Sequence, residues 1–201
     1  MNDSSLLSLP AFVLVLLLIG GAAPSQADDT SPAPAPGVLY TNDFATTPIN
    51  TSDTRWWVSD PARVTWVQDV THGGKGSLKL SNPDKTGNLG TFGPFIPYTG
   101  PSIKLSFEAK LDGVTTGVAN PSVKAAVSLY YYDQDKLEIN TPWPKYHDIQ
   151  GLPDGSQDWQ TYEKTFFLPA ATSGVAFVRI AITLPGSGTI WIDKVSLSQK
   201  P

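Results

Sequence analysis

Over most of its length the chain places apolar residues at every second position. Ile103, Leu105, Phe107 and Ala109 alternate with Ser102, Lys104, Ser106 and Glu108. Val123, Ala125, Val127, Leu129 and Tyr131 alternate with Lys124, Ala126, Ser128, Tyr130 and Tyr132, and Val178, Ile180, Ile182 and Leu184 with Phe177, Arg179, Ala181 and Thr183. A period of two is the signature of a strand with one buried face, because successive side chains leave a pleated backbone on opposite sides. Shorter strands are expected at 38–44, 56–59, 64–70, 77–81 and 160–168. They are separated by the breakers Asp60-Pro61, Gly73-Gly74, Asn82-Pro83, Gly93-Pro94, Gly100-Pro101, Asn120-Pro121, Asp154-Gly155 and Pro185-Gly186. No window carries an apolar stripe at helical spacing long enough to compete. Many strands with evenly spaced turns predict an all-β fold, a two-sheet antiparallel β-sandwich or jelly roll.

The last strand, 188–197, departs from the pattern in an informative way. Ile190 and Ile192 keep the period, but the next apolar residues are Val195 and Leu197, so the phase slips by one across Asp193 and Lys194. One extra residue in a strand is a β-bulge, which re-aims the side chains on either side of it. The slip predicts a bulge with Asp193 set in it. The plainer alternative is a terminal strand carrying a solvated acid.

Ahead of the domain, the apolar run 11–19 leads to small residues ending in Ser25-Gln26-Ala27. This is the layout of a secretory signal peptide over 1–27, although no Lys or Arg precedes the apolar run and Asp3 does. An uncleaved membrane anchor is the alternative. Residues 28–37, Asp-Asp-Thr-Ser-Pro-Ala-Pro-Ala-Pro-Gly, have linker composition, leaving 38–201 as one secreted, extracytoplasmic domain. A net charge of −4 without a basic stripe argues against nucleic acid as a partner. With no cysteine, an exported domain must hold itself by core burial or by another staple such as a metal ion. Two histidines are too few for a transition-metal cluster, so oxygen ligands and calcium are the expected metal chemistry.

Catalytic signatures are weak. Asp133, Asp135 and Glu138 fall where a hairpin turn belongs, and Asp favours turns by bonding nearby backbone. There is no Gly-x-Ser-x-Gly elbow, and neither His72 nor His147 has the context of a base. The Gly-rich loop 73–76 leads into a strand, so it lacks the helix N-terminus that phosphate loops use. The chain is expected not to be an enzyme. Aromatics carry more. Trp56 and Trp57 are adjacent, so one points in and the other out, while Tyr130 and Tyr132 share the face opposite Leu129 and Tyr131. Trp143 sits between two prolines, with Tyr146 close behind. Flat rings with polar tips suit the C–H faces of sugars, with Arg179 and Lys124 supplying hydrogen bonds. Trp66 and Trp159 are expected to pack at the core or a sheet edge.

Five segments in order carry a resemblance: Asn42-Asp43-Phe44, then His72-Gly-Gly-Lys-Gly-Ser-Leu-Lys-Leu80, the tyrosine strand ending at Asp133, Asp158-Trp-Gln-Thr-Tyr-Glu-Lys-Thr-Phe166, and 188–197. Together they resemble the galactose-binding-like jelly-roll carbohydrate-binding modules, the group of cellulose- and xylan-binding families 4, 9 and 22. The resemblance implies a non-catalytic protein that binds a polysaccharide or oligosaccharide through the row Lys124, Ser128, Tyr130, Tyr132 and Arg179, with Trp57 and Trp143 at its edges. It also implies a structural calcium held by Asn42 or Asp43, by carbonyls of Lys75 or Gly76, and by Asp193. Where many members have Glu after the Phe, this chain has Ala45. Two further expectations compete. A non-binding structural or protein-interaction domain of the cell envelope would cover Tyr130, Tyr132 and Arg179 with its own chain. A small polysaccharide-active enzyme would need two facing carboxylates in a cleft.

Overall fold

The computed structural model of the chain describes residues 37–45, 56–85, 87–117, 123–139, 148–167 and 174–199. The expected signal segment and nearly all of the linker lie outside them. Twelve strands form two antiparallel sheets, with no helix among the described residues. The first sheet holds β1 (Val38–Asn42), β3 (Val64–Val67), β4 (Ser77–Asn82), β7 (Ser102–Val114), β10 (Gly155–Phe167) and β12 (Gly188–Gln199). The second holds β2 (Trp57–Val58), β5 (Leu89–Phe92), β6 (Ile96–Pro97), β8 (Ala126–Tyr132), β9 (Asp148–Gly151) and β11 (Phe177–Leu184). Their orders are β10-β7-β12-β4-β3, with β1 beside β12, and β2-β5-β11-β8-β9, with β6 beside β11.

The alternating residues read from the sequence meet between the sheets. Ile103, Leu105, Phe107, Ala109 and Leu111 of β7 and Ile190, Ile192, Val195 and Leu197 of β12 face Val127, Leu129, Val178, Ile180 and Ile182 of the second sheet in one buried cluster. Each is nearly or wholly excluded from water, which is the main stabilising contribution in a chain without disulfides.

Each sheet has a central strand that changes partner along one edge. β12 pairs with β7 over nearly all its length, but its other edge is covered by β4 from Gly188 to Ile192 and by β1 from Val195 to Ser198. The change falls at Asp193 and Lys194, where the register to β7 shifts by one and Lys194 takes φ of 48°. The bulge expected from the apolar phase is therefore present. Likewise β11 is covered by β6 at Phe177 and Val178 and by β5 from Ala181 to Leu184.

Several boundaries differ from the sequence pattern. β10 starts at Gly155, not 160, because Gly155 takes φ of 95° and extends at once, with register shifts along β7 that carry the chain past Gln157 and Gln160. β8 starts at Ala126, not 123. β5, β6 and β9 were not anticipated; they are two to four residues long, too short to show a period, and they depend on tertiary pairing to β11 and β8. Asp133 to Lys136 form the expected turn: the Asp133 side chain accepts the amides of Asp135 and Leu137, both at 2.9 Å. Beyond it only a single bridge, Tyr132 to Glu138, continues the ladder.

The loop 71–76 is pressed against the bulge. A Cβ on Gly74 would overlap the Asp193 carboxylate, and one on Gly76 would overlap the Phe44 carbonyl and the Trp66 indole nitrogen. Replacing Gly74 by Ala should lower the unfolding free energy by about 2 kcal/mol, as overpacking does in a tight interior. Urea denaturation of G74A and wild type measures this, and matching midpoints would show that the loop has room to give.

Candidate functional site

The outer face of the second sheet carries a continuous aromatic surface. Cross-strand register aligns Trp57 of β2 with Phe92 of β5 and Phe92 with Ala181 of β11, which in turn faces Ser128 of β8. Arg179 faces Tyr130, and Phe177 faces Tyr132. The buried small residues Ala181 and Ser128 leave a low floor between rings. Trp57 and Phe92 lie 6.0 Å apart, Phe92 and Tyr130 meet edge-on at 5.2 Å, and Phe95 meets Tyr132 at 4.9 Å and Phe177 at 6.1 Å. Edge-on and tilted pairs at these separations are the favoured geometries for aromatic rings.

Arg179 is held at the centre. Its guanidinium carbon lies 5.2 Å from the Phe92 ring centre and 4.6 Å from that of Phe95, and its Nε donates to the Gly93 carbonyl at 2.7 Å. Burial pushes the Tyr132 hydroxyl above its ordinary pKa, opposed by the nearby Arg179 charge and by its hydrogen bond to Arg179. Lys136 places its ammonium 5.0 Å from the Phe95 ring centre.

The residues expected from sequence divide accordingly. Trp57 is 45% exposed and its neighbour Trp56 only 2%, so one ring faces out and one in. Tyr130 and Arg179 are half-buried, while Tyr132 is 8% exposed beneath Phe95 and Phe177. The covering expected of a non-binding domain thus holds for Tyr132 alone. Ser128 is buried in the floor, and Lys124 lies before β8, its ammonium 4.0 Å from Asp154. Trp143, Tyr146 and His147 lie outside the described residues. Phe92 and Phe95 were missed. Phe92 ends a four-residue strand and Phe95 follows Gly93-Pro94, which reads only as a breaker; the signal available was aromatics flanking a turn.

The outer face of the first sheet is organised around Asp193. Its carboxylate is wholly buried; Oδ2 accepts the His72 amide at 2.9 Å and Oδ1 the Lys194 amide at 2.7 Å. Beside it in register, Glu108 accepts Lys194 Nζ at 3.3 Å and pairs with His72 Nδ1, whose ring stacks on Trp159. These two carboxylates are adjacent but engaged, and Asp193 is sealed under the loop. Trp66 packs against the core and donates its indole N–H to the Phe44 carbonyl.

The segments expected to hold calcium come together here. Gly74 abuts Asp193, and two residues on Gly76 abuts the Phe44 carbonyl. Asn42 Oδ1 accepts the Phe44 amide at 2.7 Å, and Asp43 Oδ1 the Ala45 amide at 3.1 Å. No group of three or more His, Cys, Asp or Glu able to hold a metal occurs among the described residues, so a cation would rest on carbonyl oxygens and one buried carboxylate. Asp193 accepts one amide per oxygen and keeps a lone pair on each, which fits a hard cation.

No protein-family model and no curated relative matches the sequence, but solved structures match the fold. A Clostridium thermocellum endo-1,4-beta-D-xylanase 10B comprising CBM22-1 and GH10 modules, complexed with xylohexaose, has a TM-score of 0.54 at 15% identity over 83% of this chain. The chain shares its two-sheet jelly-roll fold with carbohydrate-binding modules of this kind. The CBM22-1-CBM22-2 tandem domain of Paenibacillus barcinonensis Xyn10C matches with a TM-score of 0.50 at 17% identity over 83% of the chain. The enzymatically active domain of bacteriophage CBA120 tailspike protein 4 matches with 0.53 at 19% over 73%. The chain spans 29%, 51% and 20% of those three chains respectively.

Within this jelly roll the buried acid is the feature most open to a stability test. Asp193→Ala would orphan the amides of His72 and Lys194, and a buried donor left unpaired costs about 1 to 3 kcal/mol. The variant should lose at least about 2 kcal/mol by urea denaturation. A change within experimental error would show that water replaces the carboxylate without penalty.

Proposed function

We propose that the domain is a secreted, non-catalytic carbohydrate-binding protein that takes a polysaccharide on the outer face of its second sheet. The observation that carries this reading is the surface of Trp57, Phe92, Tyr130 and Phe95 around a fixed Arg179. Aromatic faces offer C–H stacking to pyranose rings, and a guanidinium offers several donors in one plane to hydroxyl oxygens. Such a surface loses little side-chain freedom on binding, because its members already hold one another. The fold neighbour solved with xylohexaose supports a sugar ligand, and the apolar run with its small-residue end at 25–27 supports export. Engagement of Asp193 and Glu108 by amides, lysine and histidine favours binding over hydrolysis.

Affinity electrophoresis over plant and microbial glycans tests the reading. At least one glycan should retard the protein, and Trp57→Ala and Phe92→Ala should each weaken that retardation about tenfold or more, as truncation of a central aromatic does. No retardation on any glycan, with folding verified by circular dichroism, would overturn it.

The reading includes a structural calcium held by Asp193, carbonyls of the 75–76 segment and Asp43. A ligand bound only to the folded state stabilises it by mass action. Chelation of calcium-loaded protein should therefore lower the melting temperature by several degrees, and coincident melting curves would remove the ion from the account.

A further inference from the structure

The proposed sugar surface also says something about the charge of its ligand. Among the described residues, Arg63, Lys104, Lys110, Lys124 and Lys194 each have a carboxylate within 4.0 Å. Arg179 pairs with no carboxylate in the same set. Its protein partners are a carbonyl, the Tyr132 hydroxyl and the faces of Phe92 and Phe95. A half-buried guanidinium against apolar rings has given up part of its hydration, and its terminal nitrogens gain most from a charged acceptor.

Neighbouring charges add to this. Lys136 brings a second cation to the same Phe95 ring, at 5.0 Å. The turn that carries Lys136 also carries Asp133, Asp135 and Glu138, with the Asp133 carboxylate turned onto the amides of Asp135 and Leu137, so Arg179 is the cation set directly against the rings of the sheet face.

Resting on the carbohydrate-binding reading, we propose that the glycan recognised here carries uronic acid residues, with a sugar carboxylate received by the planar fork of Arg179 and the neighbouring pyranose faces on Phe92 and Trp57. Carboxylate is favoured over sulfate ester because its two oxygens lie in one plane and match the guanidinium edge, as tetrahedral sulfate matches it less well. Lys136, its ammonium over the Phe95 ring, adds a second donor from the turn after β8.

The test uses the full domain and five probes in isothermal titration: polygalacturonate, alginate, the carboxyl-reduced form of each, and a neutral xylan, with dextran sulfate as an anionic control. At least one uronate polymer should bind about tenfold or more tighter than its carboxyl-reduced form, a difference of the size that one charge-assisted hydrogen-bond pair supplies. Arg179→Gln should abolish that preference, and Lys136→Gln, in an exposed turn, should reduce it in a domain whose fold is not in question. Neutral polymers binding as well as uronates would overturn this inference and leave carbohydrate binding standing. Dextran sulfate binding as tightly as the uronates would reduce the site to a general anion patch and overturn it too. Binding to none of these polymers would overturn this inference, and the further absence of retardation on every glycan of the electrophoresis panel would remove the carbohydrate-binding reading with it.

Discussion

A single buried carboxylate joins three parts of the first sheet. Asp193 sits where β12 leaves β4 and takes up β1, and it satisfies one amide from its own bulge and one from the 71–76 loop. Neither strand could extend through that point: the extra residue turns the ladder, and the freed amides would be left in a dry place. The acid closes both ends of the gap at once. Gly74 is the complementary half, since any side chain there would stand where the carboxylate stands. Through the same loop, Gly76 lets the Phe44 carbonyl meet Trp66, and Phe44 in turn packs on Trp56 at 5.6 Å, so the constraint reaches the edge of the second sheet.

That edge borders the surface proposed for recognition. Trp56 is buried and Trp57 is not, so anchoring one indole in the core fixes the direction of the other. The aromatic surface then depends on β11 changing partner from β6 to β5, because the three residues between them, Gly93 to Phe95, carry the loop that folds back over Arg179. A change of partner that leaves a buried acid in one sheet leaves a clamped arginine in the other.

The sequence was legible where one chemical pattern has one structural meaning. Period-two apolar runs marked β7, β8 and β11, and a one-residue slip located the bulge to the residue. The paired tryptophans and the tyrosine row gave the right faces, as the exposure of Trp57 and the burial of Tyr131 show. What escaped was set by long-range pairing. β5 and β6 are strands only because β11 offers its edge, so Phe92 and Phe95 carried no local sign of lying over Arg179. The depth of Tyr132 was hidden for the same reason: its alternation says which way it points and nothing of the rings that cover it. The role of His72 as a clasp between Glu108 and Trp159 likewise joins residues 36 positions apart or more.

The central place of β12 has a bearing on how the sheet assembles. It is the last strand in order, yet it lies between β7 and β4 and also carries β1, so three neighbours wait on twelve residues. Until it docks, β7 and β4 each keep an open edge, and β1 has no partner in the sheet. Pairing of this kind spans most of the domain and closes slowly, because the entropy of a long loop is lost before the contacts reward it. The first sheet therefore keeps its open edges until the strand bearing Asp193 has arrived.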